Sequence, residues 1–459
     1  MSFPAEPKPS DAPASAGRTR LRGVVAFAAL VRRAGVLLGL IVRAAWLYGK
    51  TRAFDRGLWY TDEKRLARAY TRFALRFVRV ASRLRGGLIK LGQVASLRVD
   101  VVPDQITDEL ARLQDRVPPH PFSEMAAQLS SELGPNWSSR FADFDSTPIA
   151  SASLGQVHVA TGLDGQKLAV KILYPGVERS VAVDLVMLRL ALRLFNFVSF
   201  ADLGQVYREM SESIRGEMDY VQEGRAAEEV AANLSKDESL WAHLRVPAIV
   251  WSTTTRRVLS MEFIEGVKIN DADSIREQGL TMDELVTWST RAFLHMMFRD
   301  GFFHCDPHPG NLLVDSKGRV ALIDFGMNKR IDQKVLGALR DNVIATVKRD
   351  PERFADSMIS AGMVGAAHRA ALLDVARTSF DPEYYNLTPA ELARLDFGEY
   401  FSRMRVQMKR LPGFQLPDGI VMWSRALSLL YGLSVELAPG LRPLDVVGPY
   451  VVDFLREGS

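Results

Sequence analysis

The chain has 459 residues, 47% hydrophobic and 24% charged, which admits about two to three packed domains and excludes a wholly disordered or collagen-like polymer. A single cysteine, Cys305, excludes an internal disulfide, so the fold draws no stability from an oxidising compartment. The net charge of +4 conceals a division: residues 1–90 hold 19 Lys and Arg against 5 Asp and Glu, while the remainder holds 39 against 49.

A basic amino-terminal region on a mildly acidic body suits an anionic partner, and a solvated basic face is the competing account. Residues 1–20, rich in Ala, Pro and Ser, read as a disordered leader without a secretory signal. Residues 24–31 and 34–42 are apolar runs split by Arg32 and Arg33. A spanning helix needs about 20 mostly apolar residues, so 21–60 is expected to be a helix lying on a membrane surface. Residues 420–437 are also apolar in part, but Arg425 and Glu436 interrupt them. The expected location is cytoplasmic, at a membrane periphery.

From Thr61 the pattern turns helical. Leu66, Tyr70, Phe73, Phe77, Val80 and Leu84 form one apolar stripe, and Arg65, Arg68, Arg72, Arg76, Arg79 and Arg83 follow one step away. That spacing places six guanidinium groups on an adjacent face, roughly 100° around the helix, where phosphate headgroups would suit them. A core-facing helix with a solvated flank fits the same spacing. A second helical stretch carries Lys90-Leu91-Gly92-Gln93 and ends at Pro103; short helices are expected over 107–113 and 122–140.

The texture changes near Ala142. Residues 144–150, 155–161 and 167–173 read as strands, with Leu163-Asp164-Gly165 as a turn. A helix-rich stretch covers 181–235, and 258–264 is strand-like again. From Thr281 the chain is mainly helical, interrupted at 302–314 and 319–326. A small sheet followed by a helical lobe is a two-lobed α+β plan.

The interruptions carry the chemistry: His304-Cys305-Asp306-Pro307-His308-Pro309-Gly310-Asn311, then Ile323-Asp324-Phe325-Gly326. Phosphoryl transfer from ATP needs oxygen ligands for magnesium and a carboxylate beside the nucleophile. Asp306 and Asn311 stand five positions apart and Asp324 follows 13 residues after Asn311, which is a protein-kinase arrangement. Asp324 is then expected to bridge magnesium and phosphates, Asn311 to hold a second magnesium, and Asp306 to orient or deprotonate the acceptor. Upstream, Lys171 ends Ala169-Val170-Lys171 on a strand, where a kinase lysine holds phosphates and is held by a helical glutamate. Spacing alone does not choose its partner within Glu217-Met218-Asp219-Tyr220-Val221-Gln222-Glu223. The glycine-rich phosphate loop is missing; Ala150, Ser151, Ala152, Ser153, Leu154, Gly155 and Gln156 stand there, and small side chains still allow backbone amides to approach phosphates.

Together these residues resemble the UbiB family of atypical kinases, also called aarF-domain or ADCK-type kinases. The loop at 150–158 is similar to that family's alanine-rich substitute, with Ser151 where alanine is usual. Lys90, Gly92 and Gln93 match its K-x-G-Q motif, 113–118 (Leu-Gln-Asp-Arg-Val-Pro) resembles the segment that follows, and Glu217 and Asp219 match its E-x-D motif. The resemblance spans roughly 60–330. It implies a protein-kinase-like fold: an amino-terminal helical extension over 61–140, an N-lobe over 141–266, and a helix-rich C-lobe with a carboxyl-terminal extension over 267–459. It also implies that Glu223 pairs with Lys171, that Glu262 and Ile264 help to bind ATP, and that Lys90 and Gln93 form a gate held by Glu217 and Asp219 over the active site. The cofactors implied are ATP and Mg2+. The implied setting is isoprenoid-quinone (ubiquinone) or lipid metabolism, with a lipid or isoprenoid-quinone precursor and an anionic membrane surface as partners and no nucleic acid. Two other readings remain open: a nucleotide-gated regulatory protein, and a small-molecule phosphotransferase, which shares the His-x-Asp-x-His-Pro-Gly-Asn run.

Overall fold

The structure, a computed structural model, describes residues 14–55, 63–97, 119–195, 203–379 and 417–441, with single positions between and beyond. Most of the helix expected over 107–113, the 113–118 segment and the first 13 residues lie outside the described residues.

Helix α1 (Ala14–Asp55) begins inside the stretch read as a leader and runs unbroken through Arg32 and Arg33. Its Leu37, Leu40, Ile41 and Leu47 are buried, whereas Phe27, Val31, Leu38, Val42 and Trp46 are exposed. The helix therefore has a core face as well as a free apolar face. Arg33, one of the two arginines that split the apolar runs, belongs to the core face. It is buried, and its Nε and Nη2 donate to Asp184 at 2.6 Å each. Nη1 donates to the Leu84 carbonyl and Nη2 to that of Arg85, both at 2.8 Å. Those carbonyls end helix α2 (Glu63–Leu84), where intrahelical donors run out. Replacing Arg33 by Met is expected to destabilise the protein by about 3–5 kcal/mol, because Asp184 is left buried without a countercharge; a denaturant midpoint checks this.

The six arginines of α2 are all exposed and its apolar stripe is half-buried, as the spacing requires. Arg85 and Gly86 turn the chain with positive φ of 55° and 66° into α3 (Gly87–Leu97). A Cβ on Gly87 would lie 2.8 Å from both Asp184 and Val181, so only glycine lets α3 start against the next lobe's helix. Helix α4 (Phe122–Leu133) is shorter than expected, ending at Gly134 with φ 94°.

Strands β1 (Phe141–Ser151), β2 (Gly155–Gly162), β3 (Lys167–Leu173) and β5 (Val258–Glu262) form an antiparallel sheet in that order. Helices α5 (Val177–Phe195), α6 (Leu203–Gly216) and α7 (Tyr220–Leu234) follow β3. One apolar cluster joins this lobe to the extension: Leu37 and Leu40 of α1, Ile89 of α3 and Met125 of α4 pack with Ile172, Val181 and Ile214.

The second lobe holds a sheet of β4 (Leu244–Arg245), β9 (Val320–Leu322), β8 (Leu312–Asp315) and β6 (Gly266–Lys268), and a ribbon of β7 (Phe302–His304) with β10 (Asn328–Arg330). Its helices are α8 (Glu238–Trp241), α9 (Ala272–Glu277), α10 (Met282–His295), α11 (Gln333–Lys348), α12 (Pro351–Ser360), α13 (Arg369–Ser379) and α14 (Asp418–Leu437). The architecture is the two-lobed α+β plan expected from the sequence. Among the described residues α14 alone is long and apolar enough to cross a membrane. Its Ile420, Met422, Ala426, Leu430 and Leu433, however, are buried with Phe293, Phe303 and Leu336, as in a core helix.

Candidate active site

Alternation along β3 buries Val170 and Ile172 in the sheet's core and turns Lys171 to the opposite face. There its Nζ meets Glu223 Oε1 at 2.7 Å and Oε2 at 3.0 Å, and Asp324 Oδ2 at 3.2 Å. The ring of Tyr220 lies 5.2 Å from the ammonium, a neighbour the sequence did not single out. Glu223 sits in the first turn of α7, which decides among the carboxylates left open by spacing. Burial opposes charge at Lys171 and Glu223, and partial burial does so at Asp324, which is half-exposed. Asp324 and Glu223 outweigh it at Lys171 and hold the ammonium well above its ordinary value. Lys171, His304 and the Gly326 amide outweigh it at Asp324, whose carboxyl stays far below the usual range. Burial wins at Glu223 and pushes its carboxyl up, with Lys171 as the main opposing influence.

The pairing of Asn328 with His304 in the β7–β10 ribbon sets the two polar motifs side by side. The Asp306 amide donates to His304 Nδ1 at 2.9 Å, and the Cys305 amide to the Met327 carbonyl at 2.7 Å. Asn311 Nδ2 donates to the Asp306 carbonyl at 3.1 Å and to Oδ2 at 3.3 Å. The Gly326 amide closes on Asp324 Oδ1 at 2.9 Å, and Phe325 is buried against His304. Asp306 and Asn311 are thus in contact, and Asp324 follows Ile323, whose amide donates to the Asn311 carbonyl at 3.1 Å. His304 Nδ1 and His308 Nδ1 accept from the Asp306 and Gly310 amides, which fixes the backbone of this turn.

Lys90 Nζ forms an ion pair with Glu217 and lies 3.2 Å from Met327 Sδ. This ties α3 to the turn between α6 and α7 and to the residue after Gly326. Asp219 departs from the expected gate: its carboxylate faces Arg256 at 3.6 Å and Gln222 at 3.4 Å. It precedes α7, and the chain turn there directs it away from Lys90's partner. Gln93 is half-buried on α3.

The loop joining β1 and β2 is a tight turn whose Gly155 and Gln156 are also engaged within the lobe. Ser151 ends β1, and the Ala152 amide donates to the Gly155 carbonyl at 2.8 Å, making a tight turn that presents Ala150, Ser151, Ala152 and Ser153. A Cβ on Gly155 would sit 2.5 Å from the Ile172 carbonyl and 2.6 Å from Tyr220 Oη, so this glycine serves close packing. The Gln156 side chain is fully buried; it accepts from the His120 amide at 2.8 Å and meets His158 Nε2 at 2.9 Å. Glu262 is engaged with Arg245, which leaves only its backbone to a base, and Ile264 is buried beside it.

A family model described as the ABC1 atypical kinase-like domain matches residues 112–358, more than half of the chain. The chain belongs to the ABC1 atypical kinase-like family. The matched span runs from before β1 to α12 and contains Lys171, Glu217, Glu223, Asp306, Asn311 and Asp324; Lys90 precedes it. Among relatives, the chain is 31% identical to Protein ACTIVITY OF BC1 COMPLEX KINASE 8, chloroplastic, of Arabidopsis thaliana over 92% of this chain and 59% of the relative. It is 31% identical to a Probable protein kinase UbiB of Marinobacter nauticus over 80% of this chain and 68% of that one. The chain thus spans less than two thirds of the Arabidopsis protein. A solved structure, that of Rv3197 with erythromycin from Mycobacterium tuberculosis, aligns at 26% identity with a TM-score of 0.48, over 83% of this chain and 99% of that one. The family places the chain in the kinase-like, phosphotransferase class.

One charged residue at this ABC1-type site escaped the motifs. Arg425 of α14 donates from Nη2 to Asp306 Oδ1 at 2.7 Å. Its signal in the sequence was a lone arginine inside an apolar helix, which requires a buried acceptor.

Proposed function

We propose that this chain is an ATP-dependent atypical kinase or ATPase that uses Mg2+ and serves isoprenoid-quinone (ubiquinone) or other lipid metabolism at a membrane surface. The observation that carries the reading is Lys171 held between Glu223 and Asp324, with Asn311 and Asp306 joined beside them. The donor set suits magnesium. Among the described residues no group of three or more His, Cys, Asp or Glu could form a cage. Magnesium prefers one or two protein oxygens together with nucleotide phosphates. Asp324 supplies an anionic oxygen, and Asn311, whose amide hydrogens face Asp306, has Oδ1 left to bind. Bound there, the ion would neutralise charge developing on the phosphates.

The chain's own residues would then divide the work. Lys171, steadied by Glu223, binds the inner phosphates; the turn at 150–153 covers them with backbone amides; the backbone of Glu262 and Ile264 receives the base. The bond from the terminal phosphorus to its bridging oxygen breaks, a bond to the acceptor oxygen forms, and Asp306 takes the acceptor's proton before passing it to solvent. Water or a lipid hydroxyl fits this scheme. The exposed arginines of α2 and the free apolar face of α1 support a membrane setting; Arg65, Arg68, Thr71 and Arg72 line a depression of about 460 Å³. The Lys90–Glu217 pair supports a second reading, a nucleotide-gated regulator with incidental turnover. ATP hydrolysis measured with magnesium, with and without vesicles containing anionic lipid, separates them. The enzyme reading expects turnover that rises on the vesicles. Tight ATP binding without turnover in either condition would favour the regulator.

A further inference from the structure

The carboxyl-terminal helix brings a charge to the site that the motifs do not use. Arg425 sits in α14 between buried Met422 and Ala426, and its own side chain is only 7% exposed. A guanidinium carries five N–H donors in a fixed fork. Here its carboxylate partner is Asp306, and Nε has no hydrogen-bond partner among the described residues. A buried cation with donors to spare has capacity for a further anion.

The position indicates which anion. Asp306 stands where the incoming nucleophile is received, and the transferred phosphoryl group lies between nucleophile and leaving oxygen. A cation bonded to Asp306 is therefore beside the equatorial phosphoryl oxygens. The other cations nearby are engaged elsewhere. Lys171 lies between Glu223 and Asp324, and Lys90 is on Glu217. The catalytic loop offers none: two positions after Asp306 stands His308, whose Nδ1 accepts from the Gly310 amide at 3.0 Å.

We infer that Arg425 binds the terminal phosphoryl group of the nucleotide, an arginine supplied in cis by the carboxyl-terminal helix while Asp306 holds it in place. This deepens the proposed ATP site and rests on it.

Calorimetric titration of wild type, Arg425→Gln and Arg425→Lys with Mg·ADP and with a magnesium-bound, non-hydrolysable ATP analogue tests it. The expected result is that Arg425→Gln loses about tenfold in affinity for the triphosphate and none for ADP, with Arg425→Lys intermediate. Equal loss for both nucleotides, or no loss, would overturn the assignment. Wild type that binds neither would overturn the ATP site itself, and the arginine's role with it. If melting curves show Arg425→Gln unfolded, Arg425→Lys decides alone: an undiminished preference for the triphosphate contradicts the inference.

Discussion

Asp324→Asn is expected to lower magnesium-dependent ATP hydrolysis by about a thousandfold and to abolish magnesium-dependent nucleotide binding, while the protein stays folded. The size follows from removing a charge that acts directly on the transferring group. The carboxylate is suited to this because Lys171 and the Gly326 amide keep it ionised. Folding is expected to survive because Lys171 retains both oxygens of Glu223, at 2.7 and 3.0 Å. Hydrolysis and circular dichroism on the same sample check the two halves of the statement. A folded variant with unchanged turnover would remove Asp324 from the site.

The second large effect is expected at Lys90, whose Nζ pins α3 to Glu217. Glu217 is buried, and that burial pushes its carboxyl up, with Lys90 as the principal opposing influence. In Lys90→Ala the carboxylate loses its countercharge and α3 loses its tie to the segment after Phe325. The backbone there is close: a Cβ on Gly326 would lie 3.8 Å from Glu217 Cγ and 3.3 Å from Asp324 Oδ1. Loosening one therefore reaches the other. ATP turnover is expected to rise by about tenfold, within the usual range of coupling between two sites, and Lys90→Arg is expected to behave nearly as wild type. A Lys90→Ala protein with unaltered turnover and nucleotide affinity would show that the ion pair is structural only.

The parts of the site legible in the sequence were those in which local spacing equals function. Asp306, Asn311 and Asp324 lie in turns whose geometry is set by their immediate neighbours, and the strand around Lys171 alternates as a half-buried strand must. Glu223 needed the resemblance, because three carboxylates in seven residues offer no local distinction, and α7 chooses by its first turn. What escaped depends on long-range partners. Arg33 reads as an interfacial arginine until Asp184, 151 positions away, is seen to receive it. Arg425 reads as an interruption of an apolar helix until Asp306, 119 positions away, accounts for it. Gln156 sits in the loop's motif by position, yet strand alternation turns it into the core against His158. Asp219 shares a motif with Glu217, both in the turn between α6 and α7, but its carboxylate faces Arg256 instead of Lys90. In each case the sequence supplied the chemistry of the group, and the fold supplied its partner.

The central claim is that this site binds ATP through magnesium. The most direct measurement is calorimetric titration of ATP into the wild-type protein with magnesium and again with magnesium chelated. Saturable one-to-one binding that is lost on chelation is the predicted result. Absence of binding with magnesium present, or binding indifferent to it, would contradict the account.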